Sequence, residues 1–411
     1  MSILIKNARL RETKDSVDIL IDETGKIIDI RHGLNVSAEE TIDAQQNLVT
    51  PTFVDPHLHL DKAFTALDGR ISTFETLEES LQLMHDIKRK YTVEDVKSRA
   101  VKAIEASVRY GCTKIRANAD VDSICGLTAL KGVLEAKKEC KDIADIQVVA
   151  FPQEGIFVDE GTEELLYKSM DLGADLIGGM PALEWSDDDG KKHVDIVFEI
   201  AKRYNVDIDF HLDQIKDPFS RYLEYTAIKT IREGYQGRVT AGHCVSLAWQ
   251  TDAHAQKVIS LVKKANINIC VNPAILAIMG IDPEPRTRGI TRVRDLVKAG
   301  VNVTTSQDTI CDQFHLYGTG DPLDYGLLLA YAAQYNSNET AEIVYDMITF
   351  NAARAMRLDE YGIKVGNRAN LNIIEAPNVR EALRLRPSRL YVIRNGKIIA
   401  RTIQKSEILS C

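Results

Sequence analysis

Residues 50–65 read TPTFVDPHLHLDKAFT. An apolar extended run leads into a proline, and then two histidines stand one residue apart. In a strand, side chains at i and i+2 point the same way. His57 and His59 can therefore face one side of a strand end together, as a pair of metal ligands does. A pair of surface histidines in a turn would look the same over this short window, so the rest of the chain has to decide.

Downstream, strand-like apolar runs begin at Ile146 (IQVVAF), Asp175 (DLIGG), Asp207 (DIDF), Arg238 (RVTAG), Ile267 (INICVN) and Val301 (VNVTT). Successive spacings are 29, 32, 31, 29 and 34 residues. Between them lie helical patterns such as DIVFEIAKRY and AQKVISLVKKA, with apolar residues at i, i+3 and i+4. A (β/α)8 barrel of about 250 residues repeats roughly every 31 residues. Two earlier strands fit at 52–56 and 114–118, with helical stretches at 73–90 and 93–110 filling the gap between them. That makes eight strands. A doubly wound open sheet competes, but no G-x-G-x-x-G follows the first strand.

The two ends of the chain are β-rich. SILIKNARL precedes SVDILIDETGKIIDI, a hairpin turning at Gly25, and LNIIEA precedes RLYVIRNGKIIA, whose Asn-Gly pair marks a second hairpin. The expected architecture is α/β: a TIM-like (β/α)8 barrel over 51–364, with a small β-sandwich assembled from 1–50 and 365–411.

The chain of 411 residues is 45% hydrophobic and carries a formal charge of −9, which argues against a nucleic-acid surface. The short basic runs IKRK at 87–90 and AKK at 136–138 read as solvated helix faces. Seven scattered cysteines form no C-x-x-C pair, which suggests reduced thiols and a cytoplasmic setting. No apolar stretch is long enough to span a membrane, and the N-terminus has no signal-peptide pattern. Barrels of this size commonly associate, so a homo-oligomer is compatible with the sequence.

In barrels the active site lies at the C-terminal strand ends. His57, His59, Gln153, His211, His243 and Asp308 all fall at or just after such ends, whereas His85, His193 and His254 scatter over helices and loops and read as ordinary residues. Three histidines and a carboxylate suit one divalent ion, Zn2+ foremost, with Fe2+ or Mn2+ also compatible. An ion held there lowers the pKa of a water towards about 7, which suits hydrolysis of polar C–N bonds. A fourth imidazole, His243, is more useful polarising a substrate than as a further ligand.

These residues carry a resemblance. VDPHLHLDKAF, AFPQEG, DFHLDQ, GRVTAGHCVS and the Asp in SQDTICDQFHLYGTGDPL resemble the amidohydrolase superfamily, within it the cytosine deaminase and N-isopropylammelide isopropylamidohydrolase branch. The resemblance implies that His57, His59, His211 and Asp308 are metal ligands and that Asp308 takes a proton from the attacking water. It implies that His243 polarises the substrate or steadies the hydroxide, Gln153 reads the amide-like edge of a heterocycle and Phe314 packs on the ring.

Two departures from cytosine deaminase remove acids. That family carries a Glu where this chain has Gln214 and an Asp where it has Thr309. A neutral amide can hydrogen-bond but cannot accept and return a proton. Gln214 therefore marks either a subgroup with a different shuttle or an inactivated site. Lys62, which resembles a lysine of the isopropylammelide enzymes, offers a replacement proton donor, against the blander reading of a salt bridge with Asp61. The expected activity is deamination or amine release from a pyrimidine, an s-triazine or a cyclic amidine. The alternatives are a barrel that only binds a heterocycle and a dinuclear cyclic-amide hydrolase. The second would usually need a lysine at the strand-4 end, where DLIGGMPALEW has none.

Overall fold

The structure is a computed structural model of the whole chain. It describes all residues except 14, 68–75, 280–288, 405, 406, 408, 410 and 411. Residues 73–75 of the expected 73–90 helical stretch, and Cys411 among the seven cysteines, lie outside the described residues.

Eight parallel strands build the central sheet: β6 (Phe53–His59), β7 (Cys112–Asp120), β8 (Asp145–Phe151), β9 (Leu176–Gly179), β10 (Asp207–Leu212), β11 (Val239–His243), β12 (Asn268–Val271) and β13 (Val303–Thr305), each pairing with the next in chain order. These short, β-branched runs are buried on both faces, as a parallel sheet wrapped by helices requires. The sheet closes between its first and last strands just beyond β13. Asp308 accepts from the His59 amide at 2.8 Å, and its own amide donates to the His57 carbonyl at 3.2 Å.

Helices fill the crossovers. Helix α1 (Leu77–Lys88) and helix α2 (Val93–Arg109) both lie between β6 and β7. Each starts on a threonine, Thr76 or Thr92, whose side chain accepts from the backbone N–H three residues on. In α2 the buried positions Val96, Ala100, Ala103, Ile104, Ser107 and Val108 recur at helical spacing and face the barrel wall. Phe53, Phe151, Phe198 and Phe210 are fully buried in the core around the strands. Truncating one to alanine costs about 3–5 kcal/mol.

Two four-stranded sheets flank the barrel. One contains β1 (Ile3–Ala8), β2 (Val17–Ile21), β3 (Ile27–Arg31) and β4 (Glu40–Asp43). The other joins β5 (Leu48–Pro51) to β14 (Leu371–Ile374), β15 (Arg389–Arg394) and β16 (Lys397–Arg401). Both ends of the chain thus share one sheet and one small core, in which Ile3, Ile5 and Ile21 meet Val49, Ile373 and Ile393. The two hairpin turns pack against each other. A Cβ on Gly25, whose φ is +84°, would sit 2.1 Å from the Asn395 carbonyl oxygen, so only glycine fits there.

Two expectations need correction. The first barrel strand does not stop at Pro56 but runs through His59, so the two histidines lie inside a strand. Past the proline, pairing resumes on both sides, with β7 at Leu58 and His59 and with Asp308 at the closing edge. Lys88, read as part of a solvated helix face, is buried. Its partners come from the end of β7 and from the segments just after β7 and β8, so local charge pattern could not reveal them.

Candidate active site

β6 turns His57 and His59 inward, β10 supplies His211 from the opposite side, and β11 ends in His243. Barrel closure brings Asp308 between them. The Nε2 atoms of His57 and His59 each lie 3.0 Å from His211 Nε2. Asp308 Oδ1 stands 3.8 Å from His57 Nε2 and 3.7 Å from His59 Nε2. His57, His211, His243 and Asp308 also present ligand atoms within 4.8 Å of one another, so His243 is a geometric candidate beside His59.

The donor chemistry of this cluster fits a cation. The ring of His57 donates from Nδ1 to Asp209 Oδ1 at 3.0 Å, which leaves its Nε2 lone pair facing inward. Asp209 in turn accepts from Arg116 Nη1 at 2.8 Å, and Arg116 is tied to Thr240 and to the Ala355 carbonyl. His211 Nε2 carries at most one proton, so it cannot satisfy both imidazoles 3.0 Å away as a donor. A cation between lone pairs resolves the crowding. His59 differs in one respect: its Nδ1 accepts from Lys62 Nζ at 3.1 Å, which keeps its proton on Nε2. Presenting the Nε2 lone pair moves that proton to Nδ1, and Lys62 then keeps only its bond to Asp120 at 2.6 Å.

Electrostatics follow from burial. Desolvation, and then the charges of neighbouring groups, push His59, His211 and His243 well below the ordinary imidazole range, so they are neutral bases. For His57 desolvation is outweighed by Asp209, with Asp308 and Asp55 adding to it, so this imidazole is raised. Burial lifts Asp308 to about 6 against the opposing influence of His57, Lys62 and Asn272. The Asn272 amide is oriented by Ser306, whose hydroxyl donates to its oxygen at 2.6 Å, so its nitrogen faces the His243 ring at 3.4 Å. The backbones of His243 and Asp308 both take left-handed conformations, with φ of 67° and 69°. Such strain in non-glycine residues concentrates at functional sites.

Above the cluster opens a small cavity of about 30 Å3, open to solvent on one side. Its polar wall holds Lys62, Gln153, Gln214 and Thr309, and His59, His211 and Asp308 also line it. Its apolar wall is Leu77 and Leu81 of α1 with Met180, Ile278 and Phe314. Gln214 Oε1 and Thr309 Oγ1 are buried in the polar wall with no hydrogen-bond partner among the described residues. His57 and His243 stand behind the lining, in contact with His211.

The structure thus brings together every site residue expected from the sequence. Lys62 lines the cavity and is also ion-paired, at 4.0 Å to the expected Asp61 and at 2.6 Å to Asp120. Asp209, Asp120, Asn272 and, apart from Phe314, the apolar wall were not anticipated. For Asp209 there was a signal: in DIDFHL it stands two residues before His211 and so shares its face of the strand. His85 is less ordinary than it looked, since its Nε2 bonds Glu154 at 2.7 Å beside the cavity.

The profile of the Amidohydrolase family matches residues 40–400. N-isopropylammelide isopropyl amidohydrolase of Pseudomonas sp. (strain ADP) is 34% identical over 405 residues, 97% of each chain. Pterin deaminase of Rhizobium rhizogenes is 28% identical over 94% of this chain and 88% of its own. Among solved structures, 5-methylcytosine deaminase from Klebsiella pneumoniae, liganded with phosphonocytosine, superposes with a TM-score of 0.93 at 34% identity, covering 99% of this chain and 100% of that one.

Proposed function

The chain belongs to the amidohydrolase family, and from that premise we propose that it hydrolyses an exocyclic or ring C–N bond of a small nitrogen heterocycle. The substrate class is a pyrimidine, an s-triazine or a cyclic amidine. The observation that carries this reading is the convergence of three imidazoles and one carboxylate beneath a cavity walled by two amides and an apolar face.

One divalent ion per chain belongs at His57, His59, His211 and Asp308. Zinc suits this donor set best, and Fe2+ or Mn2+ also match it. When bound, the ion supplies the Lewis acidity that makes hydroxide available near neutral pH. The side chains do the rest. Gln153 and Gln214 hold the polar edge of the ring, Thr309 adds a hydroxyl, and Phe314 packs on the ring face. Asp308 takes a proton from the attacking water. His243 steadies the oxygen of the tetrahedral intermediate. Lys62 gives a proton to the departing nitrogen, the task for which Gln214 lacks an acid. Water oxygen bonds to carbon, the C–N bond breaks, and ammonia or an alkylamine leaves.

The same reading divides the chain into a barrel over 51–364 and a sandwich from 1–50 and 365–411. It includes self-association and a cytoplasmic setting, the latter supported by unpaired cysteines at all six described positions. No helix among the described residues is long and apolar enough to cross a membrane.

The test is release of ammonia and amine from cytosine, 5-methylcytosine, isoguanine, creatinine, ammelide, N-isopropylammelide and pterin. Each is assayed with metal-loaded protein, after chelation, and after reloading. Turnover of at least one compound, lost on chelation and restored by metal, is expected. Silence across the panel from protein holding one ion per chain would favour the binding-only barrel.

A further inference from the structure

Lys88 ends helix α1, and its ammonium group carries three hydrogens. Three carboxylate oxygens surround it: Glu154 Oε1 at 2.5 Å, Asp122 Oδ2 at 2.6 Å and Asp120 Oδ2 at 3.1 Å. Asp120, Asp122 and Glu154 are grouped tightly enough to hold a metal ion, but the cation among them is a side chain. Every donor of the ammonium is thereby used.

Two of these carboxylates face the active site with their remaining contacts. Asp120 uses its other oxygen to accept from Lys62 Nζ at 2.6 Å. Glu154 Oε1 also lies 3.5 Å from Gln153 Nε2, and its second oxygen bonds His85 of α1 at 2.7 Å. One buried cation therefore joins both polar groups on one side of the cavity. The same helix lends Leu77 and Leu81 to the cavity's apolar wall.

A buried ion pair is by itself weak evidence of a stabilising role, because a well-packed apolar replacement often serves stability as well. A geometric role accounts for it better. We propose that Lys88 is a positioning residue: it latches α1 across the barrel mouth and, through Asp120 and Glu154, sets where Lys62 and Gln153 stand. This rests on the reading of Lys62 and Gln153 as groups that face the substrate.

The experiment compares full-length, metal-loaded wild type with Lys88→Met, Asp122→Asn and the control Lys90→Met. Amide hydrogen exchange is followed by mass spectrometry, with steady-state kinetics on whichever panel compound the wild type turns over. In Lys88→Met, exchange across 77–88 and 153–156 should rise at least tenfold while β10 and β11 keep their protection and one ion stays bound. kcat should fall at least 100-fold and KM should rise, with Asp122→Asn intermediate and Lys90→Met like the wild type. A merely structural lysine would lower Tm and leave kcat and KM of the folded protein unchanged, and that result would overturn the proposal. So would unchanged exchange in α1. If Lys88→Met does not fold, Asp122→Asn decides by the same readouts. If the wild type turns over nothing, the functional reading has failed separately, and the exchange pattern alone decides for or against the latch.

Discussion

The His57 ring donates from Nδ1 to Asp209 Oδ1 at 3.0 Å, and this one contact decides which nitrogen faces the barrel interior. A proton held on Nδ1 leaves the Nε2 lone pair free, 3.0 Å from His211 Nε2. Arg116, bonded to Asp209 at 2.8 Å, keeps the carboxylate in place. The arrangement is a histidine prepared for a cation by groups that never touch it.

Asp209→Asn should therefore weaken metal binding by roughly 10–100-fold, the usual cost of losing an outer partner of a ligating histidine. Metal competition titration against a chromogenic chelator measures this directly. An unchanged affinity would remove Asp209 from the account.

His59 and His243 should separate cleanly. His59→Ala is expected to lose the ion on dialysis. His243→Gln is expected to keep one ion per chain while kcat drops on the order of 100-fold, as expected of a group that acts in the transition state. Elemental analysis of both variants gives the answer, and loss of metal from His243→Gln would exchange their roles.

The sequence made part of this visible because barrel periodicity is local. Each strand start lies within a few residues of where the apolar runs begin, and the alternation of His57 and His59 reads directly as one face of a strand. Asp308 was legible from its position after the last strand and from the motif around it, not from any contact. The backbone bond that sets it against His59 depends on closure between the two ends of the sheet, some 250 residues apart. Lys88 was misread for the same reason. Its carboxylates lie on the β7 and β8 segments, and no pattern within IKRK reports contacts at that distance. The apolar wall combines α1 with residues such as Met180, Ile278 and Phe314, which are unrelated in sequence pattern.

Acid should expose the Glu154 pairing. Burial opposes its ionisation, but the His85 hydrogen bond and the Lys88 charge prevail and hold its carboxyl at about 2, against an ordinary value of 4.5. A depressed folded-state pKa stabilises fully above pH 4.5 and is lost as pH falls from 4.5 towards 2. Thermal melts across that window should show a steeper fall of Tm for wild type than for Glu154→Gln. Parallel curves would mean that the pairing contributes nothing.

The most direct test of the central claim is turnover by Asp308→Asn, loaded with metal and assayed beside the wild type on the heterocycle panel. The amide preserves shape but cannot take a proton from water. The account predicts ammonia or amine release by the wild type and none above background from the variant. Wild-type turnover by Asp308→Asn would contradict it.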